Sequence, residues 1–189
     1  MFIDKNEMLA NKYIATTRAY LDYVEEHIEN IRIAFDELSR ACDGKMHWVG
    51  DDCAWFTMRA DVRTHDLSKF SKEEFVQYRD HFYPVSEKDK ENSHFAEAWE
   101  NHKQCNHHHH ETVGNFHDVY HMVIDWVAMS YKFGDNPRDF YEKTKPKMGG
   151  NITGEMHQEI NLMFDCLEAY RHQRKSILER VFCKLKGSK

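Results

Sequence analysis

Apolar and polar positions alternate with a helical period over the first forty residues. The apolar stripe, with one threonine, runs through Ile14, Thr17, Leu21, Val24, Ile28, Ile31, Phe35 and Leu38. Spacings of three and four place these side chains on one face of an α-helix. The pattern predicts one long amphipathic helix over residues 5–41, ended by Gly44.

A second helix is predicted from about residue 51. Its apolar face carries Trp55, Met58, Val62 and His65. Ser71 and Glu74 then form the S-x-x-E pattern of a capping box, which starts a short helix that must stop before Pro84. This arrangement places the pair His65-Asp66 at the end of a core helix, close to a corner between helices.

The rest of the chain also has helical periodicity. A charged loop, SEKDKEN, precedes a helix in which Phe95, Trp99 and His102 share a face, and CNHHHHE follows as an irregular turn or a new helix start. A long helix is predicted over residues 112–133, closed by Gly134, and Asn136-Pro137 opens a short one. Gly149-Gly150 is a break before a last helix from about residue 153. With no convincing strand or internal repeat, we expect an all-α fold of about five to seven helices.

Length and composition favour one soluble domain. The 189 residues are 41% hydrophobic and 31% charged, and no run approaches the roughly 20 apolar residues of a membrane span. The N-terminus lacks the apolar segment of a secretory signal, so a cytoplasmic location is expected. The five cysteines, at positions 42, 53, 105, 166 and 183, form no CxxC pair and are expected to be reduced and mostly buried.

The net charge of −6 is unevenly distributed. Residues 171–189 carry +6, which leaves −12 for residues 1–170. The acidic body argues against general DNA binding. A basic tail could touch nucleic acid or an anionic surface, and a solvated helix end explains the same charges.

The pair His65-Asp66, in the segment THDLSKFS, is the first candidate for metal chemistry. An imidazole and a carboxylate supply nitrogen and oxygen ligands, and Asp66 could bridge two ions. A partly buried histidine capped by its neighbour is the plain structural alternative. Lys69, one turn later, suits a phosphate oxygen and could equally be an ordinary surface lysine.

Further candidates come from two of the predicted helices. His27 lies at the edge of the first apolar stripe, where a hydrogen-bonded core histidine is also common. Asp125 stands between Ile124 and Trp126, so its charge needs a partner, either a metal or an arginine. His117, His121 and Asp125 share one helix face and form a rival chelate, or a solvated stripe.

The segment HKQCNHHHHE adds His102 and the run from His107 to His110. Four consecutive histidines cannot all point the same way. One or two could bind metal while the others face solvent, and fortuitous surface binding is the alternative.

In this order, these residues resemble the HD superfamily of metal-dependent phosphohydrolases. The resemblance implies an all-helical fold and one or two divalent ions (Mn, Mg, Co, Fe or Ni). The implied metal ligands are His27, His65, Asp66, His102, His108, His109 and Asp125. It also implies that Asp66 binds metal and orients or deprotonates water, and that Lys69 and Lys132 hold the phosphate. The HD-like domain would span residues 1–150, with residues 151–189 as a C-terminal helix and basic tail packed on it.

More closely, THDLSKFSKEEF, YRDHFYP, AWENHKQCNHHHHE and DWVAMSYKFGD resemble an uncharacterised family of phages and bacteria, over roughly residues 10–145. That family's pattern is approximately His-His, three residues, Asn-x-His-His. Asn101 stands where the first histidine would be, which leaves His102 as the match and weakens the case for two metals. The match at Asn106 favours His108 and His109, with a shift by one residue as the alternative.

The resulting expectation is a phosphohydrolase acting on a nucleotide or a related small phosphate ester, in the host cytoplasm if the gene is carried by a phage. One alternative is a di-iron enzyme that activates oxygen. Another is a non-enzymatic helical protein that binds a nucleotide signal or a partner protein. The long first helix could also supply a homodimer interface.

Overall fold

The computed structural model describes residues 4–43 and 52–186, with side chains for residues 4–43 and 54–179. Gly44 and Asp51, the predicted end of the first helix and start of the second, lie outside the described residues. So do the side chains of the basic tail after Glu179, and those of Cys53 and Cys183.

The described residues form eight α-helices and no strand, which confirms the all-α prediction. The helices are α1 (Lys5–Ala41), α2 (Asp52–Thr64), α3 (Phe75–Phe82), α4 (Glu87–Glu91), α5 (Phe95–Cys105), α6 (Phe116–Phe133), α7 (Pro137–Thr144) and α8 (Gly154–Lys186). Two short 3₁₀ turns, Leu67–Phe70 and Lys145–Lys147, connect α2 to α3 and α7 to α8. The count exceeds the predicted five to seven.

Helix α1 organises the domain. Its N-terminus is capped by Asp4, whose carboxylate accepts a hydrogen bond from the Asn6 amide. Its apolar stripe buries Ile31, Ala34 and Leu38 completely, in a core shared with α2, α6 and α8. A smaller cluster of Tyr20, Val24, Tyr78 and Ala98 joins α1 to α3 and α5. Both cores therefore begin on one helix, with His27 between them.

Helix α6 is the most deeply buried element. Asn115 caps its start by accepting from the Asp118 amide, and Gly134 ends it in the left-handed conformation with φ +70°. The predicted end at Gly134 is confirmed. The predicted start at residue 112 is four residues too early, because residues 112–115 belong to the loop that contains the histidine run.

Two local predictions around α3 and α4 were wrong. Ser71 and Glu74 form no capping box, since Glu74 occupies the N-cap position without a side-chain cap bond and its carboxylate turns inward. The segment SEKDKEN is not a loop throughout. It contains the short helix α4, which begins with a capping box between Ser86 and Asp89. Both segments have the S-x-x-[DE] pattern, and burial of Glu74 decides between them.

The sequence predicts reduced, mostly buried cysteines and no membrane span. Cys42, Cys105 and Cys166 are free thiols, and Cys105 is the exposed one among them. In the described part of the chain, no helix combines the length and apolar composition needed to cross a membrane.

Glu37 and Arg171 join α1 to α8. Arg171 Nη2 lies 2.7 Å from Glu37 Oε2, and the Tyr131 hydroxyl donates to the same oxygen at 2.7 Å. Burial raises the pKa of the Glu37 carboxyl, but the hydrogen bonds from Arg171 and Tyr131 outweigh it, so the pKa lies below its ordinary value.

Glu37→Gln should therefore destabilise the protein by about 1 kcal/mol at pH 7. A carboxyl whose pKa is lower in the folded state stabilises above its unfolded pKa of about 4.3. That contribution is lost as the pH falls through the folded value. Urea unfolding of both proteins should show the difference at pH 7 and a shrinking difference towards pH 3. An equal difference at both pH values would contradict the charge-based origin.

Candidate metal centre

The pair His65-Asp66 lies immediately after the last residue of α2. Asp66 has φ +59°, a left-handed conformation that aspartate tolerates better than most residues. This conformation ends the helix and starts the 3₁₀ turn Leu67–Phe70. His65 and Asp66 are only 1% and 2% exposed. The predicted corner is thus confirmed, and it buries both side chains.

Four side chains from three parts of the fold meet at this corner. His27 Nε2 lies 3.1 Å from His65 Nε2, 3.2 Å from Asp125 Oδ1 and 3.5 Å from Asp66 Oδ2. His65 Nε2 lies 3.5 Å from Asp66 Oδ2 and 3.8 Å from Asp125 Oδ1. Ligands about 2.1 Å from a shared metal ion are separated by about 3.0 to 3.4 Å. We call these four residues the first donor group.

A second donor group uses the other oxygen of Asp66. His102 Nε2 lies 3.2 Å from Asp66 Oδ1, and His108 Nε2 lies 3.4 Å from it. His109 completes the group, because its ring nitrogen lies within 4.8 Å of those of His102 and His108. Asp66 therefore points one oxygen at each donor group.

Several of these atoms have no hydrogen-bond partner although they are buried. They include Asp66 Oδ1, Asp125 Oδ1 and His109 Nε2. Buried polar atoms are nearly always bonded, and cations bound in the two donor groups would give each of these three atoms a partner. Imidazole and carboxylate donors together suit divalent Mn, Fe, Co, Ni or Zn. The residues present therefore fit a metal centre.

The electrostatics keep several of the donors in their ligand forms. Burial lowers the pKa of His65 below its ordinary value and lowers those of His109 and His121 to about 3, so these rings are neutral at pH 7. Burial alone would raise the pKa of Asp66, but the nearby His65 and Lys69 lower it well below its usual range. His65 and His109 therefore offer lone pairs and Asp66 keeps its charge. Burial lowers the pKa of His102, but its hydrogen bonds with Asp66 and Glu74 outweigh burial and raise that pKa above its ordinary value.

Lys69 is part of this cluster. Its ammonium lies 2.6 Å from Asp66 Oδ2 and 5.6 Å from the centre of the Tyr78 ring. Burial lowers the pKa of Lys69, but Asp66 raises it by more, so the ammonium stays charged. The predicted phosphate-binding lysine thus touches the predicted bridging carboxylate.

Lys132 lies farther out. It forms an ion pair with Glu26 and stands 4.9 Å from the centre of the Tyr23 ring. The Tyr23 ring is parallel to the His27 ring, with 6.5 Å between the centres. Lys132 therefore lies at the rim of the centre, separated from His27 by one aromatic ring.

The run from His107 to His110 divides as the match at Asn106 indicated, because His108 and His109 join the second donor group. His108 is buried and His109 is partly buried, whereas His107 is exposed and His110 lies 3.5 Å from Glu111. Asn106 supports the loop, since its amide donates to the His102 carbonyl at 2.8 Å. The structure thus brings together all seven predicted metal ligands.

The rival chelate on α6 is not brought together. His117 Nε2 lies 2.6 Å from Asp61 Oδ2, away from Asp125. His121 Nε2 lies 2.9 Å from His65 Nδ1, so it contacts a member of the first donor group from behind. If His65 Nε2 binds metal, Nδ1 carries the hydrogen and donates it to His121.

Sequence reasoning missed Glu74 and Ser68. Glu74 is fully buried behind His102, with Oε2 2.8 Å from His102 Nδ1, and Ser68 donates to the same oxygen at 3.0 Å. The S-x-x-E pattern predicted that Glu74 caps a helix, so its contact with His102 was not expected. Ser68 lies inside HDLSK, but nothing in its spacing distinguishes it from a surface serine.

A model of the family of unknown function DUF5662 matches residues 16–182. The chain belongs to this family. The DUF5662 match includes every donor from His27 to Asp125 and most of α8, which the resemblance seen in the sequence did not cover. No curated protein and no solved structure matches the chain. The DUF5662 description assigns no activity, so a function has to be argued from the donor cluster.

Proposed function

We propose that this protein is a divalent-metal-dependent phosphohydrolase acting on a nucleotide or a related small phosphate ester. One observation carries the proposal. Asp66 directs its two oxygens at two histidine-rich donor groups, and the Lys69 ammonium lies 2.6 Å from one of those oxygens. Such a cluster combines metal donors with a fixed positive charge, which suits a phosphate group.

The first donor group would hold one ion through His27, His65, Asp66 and Asp125. The second would hold another through Asp66 with His102, His108 and His109. A bound divalent metal lowers the pKa of a coordinated water from 15.7 towards about 7 and neutralises charge on phosphoryl oxygens.

Asp66 acts in this scheme as an anchor rather than as a base. Its pKa is held well below the usual range, so its carboxylate accepts a proton poorly at neutral pH. Asp66 would instead help to hold the metal and would orient the attacking water.

Lys69 would contribute phosphate binding. An ammonium has three hydrogens, and the contact with Asp66 uses one of them. The side chain is 11% exposed, so the ammonium is shielded from bulk water yet reachable from the centre. Lys132, at the rim beside Tyr23, would contact a more distant part of the substrate.

The test is an activity screen with metal-stripped protein. After reloading with Mn²⁺, Co²⁺, Fe²⁺ or Mg²⁺, the protein should release phosphate from at least one member of a panel of nucleotides and sugar phosphates. The chelator-treated protein should release none. Tight binding of nucleotides without turnover under every metal condition would contradict the proposal and favour a non-enzymatic binding protein.

A second candidate is supported by the nitrogen-rich donor set. Five histidines around one shared carboxylate also suit two iron ions, and an oxygen-activating di-iron enzyme would need such a set. Turnover by the Mg²⁺ or Mn²⁺ protein under anaerobic conditions excludes this candidate. Oxygen consumption that requires iron would support it.

A further inference from the structure

Glu74 is a carboxylate that lies behind the second donor group, on the side of His102 away from Asp66. It is 0% exposed. Burying a carboxylate costs several kcal/mol unless hydrogen bonds and a nearby positive charge compensate for it. One of its partners is His102, the ring that faces Asp66 on its other side.

The hydrogen bonds around Glu74 all run towards it. Asn101 Nδ2 donates to Oε1 at 2.7 Å, and Ser68 Oγ donates to Oε2 at 3.0 Å. Asn106 Nδ2 donates to Ser68 Oγ at 2.8 Å, which leaves the Ser68 hydrogen free for Glu74. Glu74 therefore accepts hydrogen bonds from Asn101 and Ser68, and Ser68 in turn accepts one from Asn106.

This network determines which nitrogen of His102 carries hydrogen. Nδ1 lies 2.8 Å from Glu74 Oε2, so a lone pair on Nδ1 would face the lone pairs of that oxygen. Ser68 Oγ and Asn106 Nδ2 also lie 3.1 Å and 3.2 Å from Nδ1, but a donation from either would leave the shorter contact with Glu74 repulsive. With the hydrogen on Nδ1, the lone pair of Nε2 faces Asp66 Oδ1 at 3.2 Å, an arrangement that is favourable when a cation lies between the two atoms.

We propose that Glu74 is a positioning residue of the metal centre, which holds His102 in the Nδ1–H form so that Nε2 is free to bind metal beside Asp66 Oδ1. This inference rests on the metal centre of the proposed function. The positive charge that compensates Glu74 is then the ion on the far side of the imidazole. Asn101, at the position where the related motif has histidine, acts as the donor that orients Glu74.

Zinc alone is a suitable probe, because it is diamagnetic and needs no substrate. In Glu74→Gln, the amide oxygen stays with Asn101 and the amide nitrogen faces His102, which favours the wrong tautomer. The zinc affinity of the second donor group should fall about 10- to 100-fold. The first donor group should keep its zinc.

A second substitution separates this role from a structural one. In Glu74→Gln with Asn101→Asp, the new carboxylate accepts from the glutamine amide and turns its oxygen back to His102. Zinc affinity should recover to within about fivefold of the starting protein if the acceptor at His102 is what counts. Glu37→Gln is the matched control, since it removes a partly buried carboxylate whose partners, Arg171 and Tyr131, belong to neither donor group, and it should leave zinc binding unchanged.

Long-range nitrogen–proton NMR of the zinc-loaded protein reads the tautomer directly and needs no variant. Hydrogen on Nδ1 of His102 is the expected result, and hydrogen on Nε2 overturns the proposal. Unchanged zinc affinity in Glu74→Gln overturns it too, as does a double variant that regains stability without regaining zinc. A protein that binds zinc as expected yet hydrolyses no phosphate ester contradicts only the proposed function.

Discussion

Asp66→Asn should lose more than nine-tenths of the metal bound at equal free metal concentration, together with any metal-dependent hydrolysis. The substitution removes the one charge that both donor groups share, while Asn keeps the shape of the side chain. Asparagine also tolerates the φ of +59° at this position, so the turn after α2 should persist. Metal analysis after gel filtration measures the loss, and far-UV circular dichroism checks the fold.

The loss of charge also has a stability cost. Lys69 would be left as a buried ammonium without its carboxylate, which costs about 3 kcal/mol. Adding Lys69→Met to Asp66→Asn should restore much of that stability without restoring metal. Asp61→Asn, near the end of α2, is the control, because Asp61 pairs with the partly exposed His117. Asp66→Asn protein that keeps wild-type metal content would exclude the bridging role.

Lys69→Met should separate metal binding from phosphate chemistry. Removing a positive charge beside the donors lowers the repulsion of a cation, so metal should bind at least as tightly as before. Turnover of a phosphate ester should nevertheless fall about 100- to 1,000-fold, because the group that neutralises phosphoryl oxygens is gone. Calorimetric metal titration and steady-state rates at saturating metal provide the two readouts.

Lys132→Met is the matched comparison. Lys132 is partly exposed at the rim and pairs with Glu26, so its loss should lower turnover less than tenfold and leave metal affinity unchanged. Equal effects of the two lysine variants would show that Lys69 has no special place in phosphate binding. Weaker metal binding in Lys69→Met would indicate that the lysine supports the donors structurally.

Strong local signals predicted the helices well. The stripe from Ile14 to Leu38 matches α1, and Gly134 ends α6 as expected, because periodicity and a left-handed C-cap are local properties. The start of α6 was misplaced because the predicted helix ran through Thr112 and Val113, although Gly114 and the capping residue Asn115 mark the true start. Local signals also could not separate Ser71–Glu74 from Ser86–Asp89, since the two patterns differ in burial and not in spacing.

The sequence indicated which residues could be metal donors, but it did not show which of them lie next to one another. Asp125 stood out because a carboxylate inside an apolar helix needs a partner, and its closest partner is His27, 98 positions earlier. His121 and His117 have the same spacing pattern on α6, yet one contacts His65 and the other contacts Asp61. One helical turn separates His117 from His121, and this offset places His121 against His65 and His117 against Asp61.

The sequence by itself determined the helical class, the course of the long helices and the donor residues, because these follow from periodicity and from side-chain chemistry. The tertiary structure alone decided which donors share Asp66, that Lys69 contacts it, and that Glu74 lies behind His102. The physical reason is the distance along the chain over which each kind of interaction acts. Helix signals act over three or four residues, whereas the centre is assembled from side chains up to 98 positions apart that meet only when α1, α2, α5 and α6 pack together.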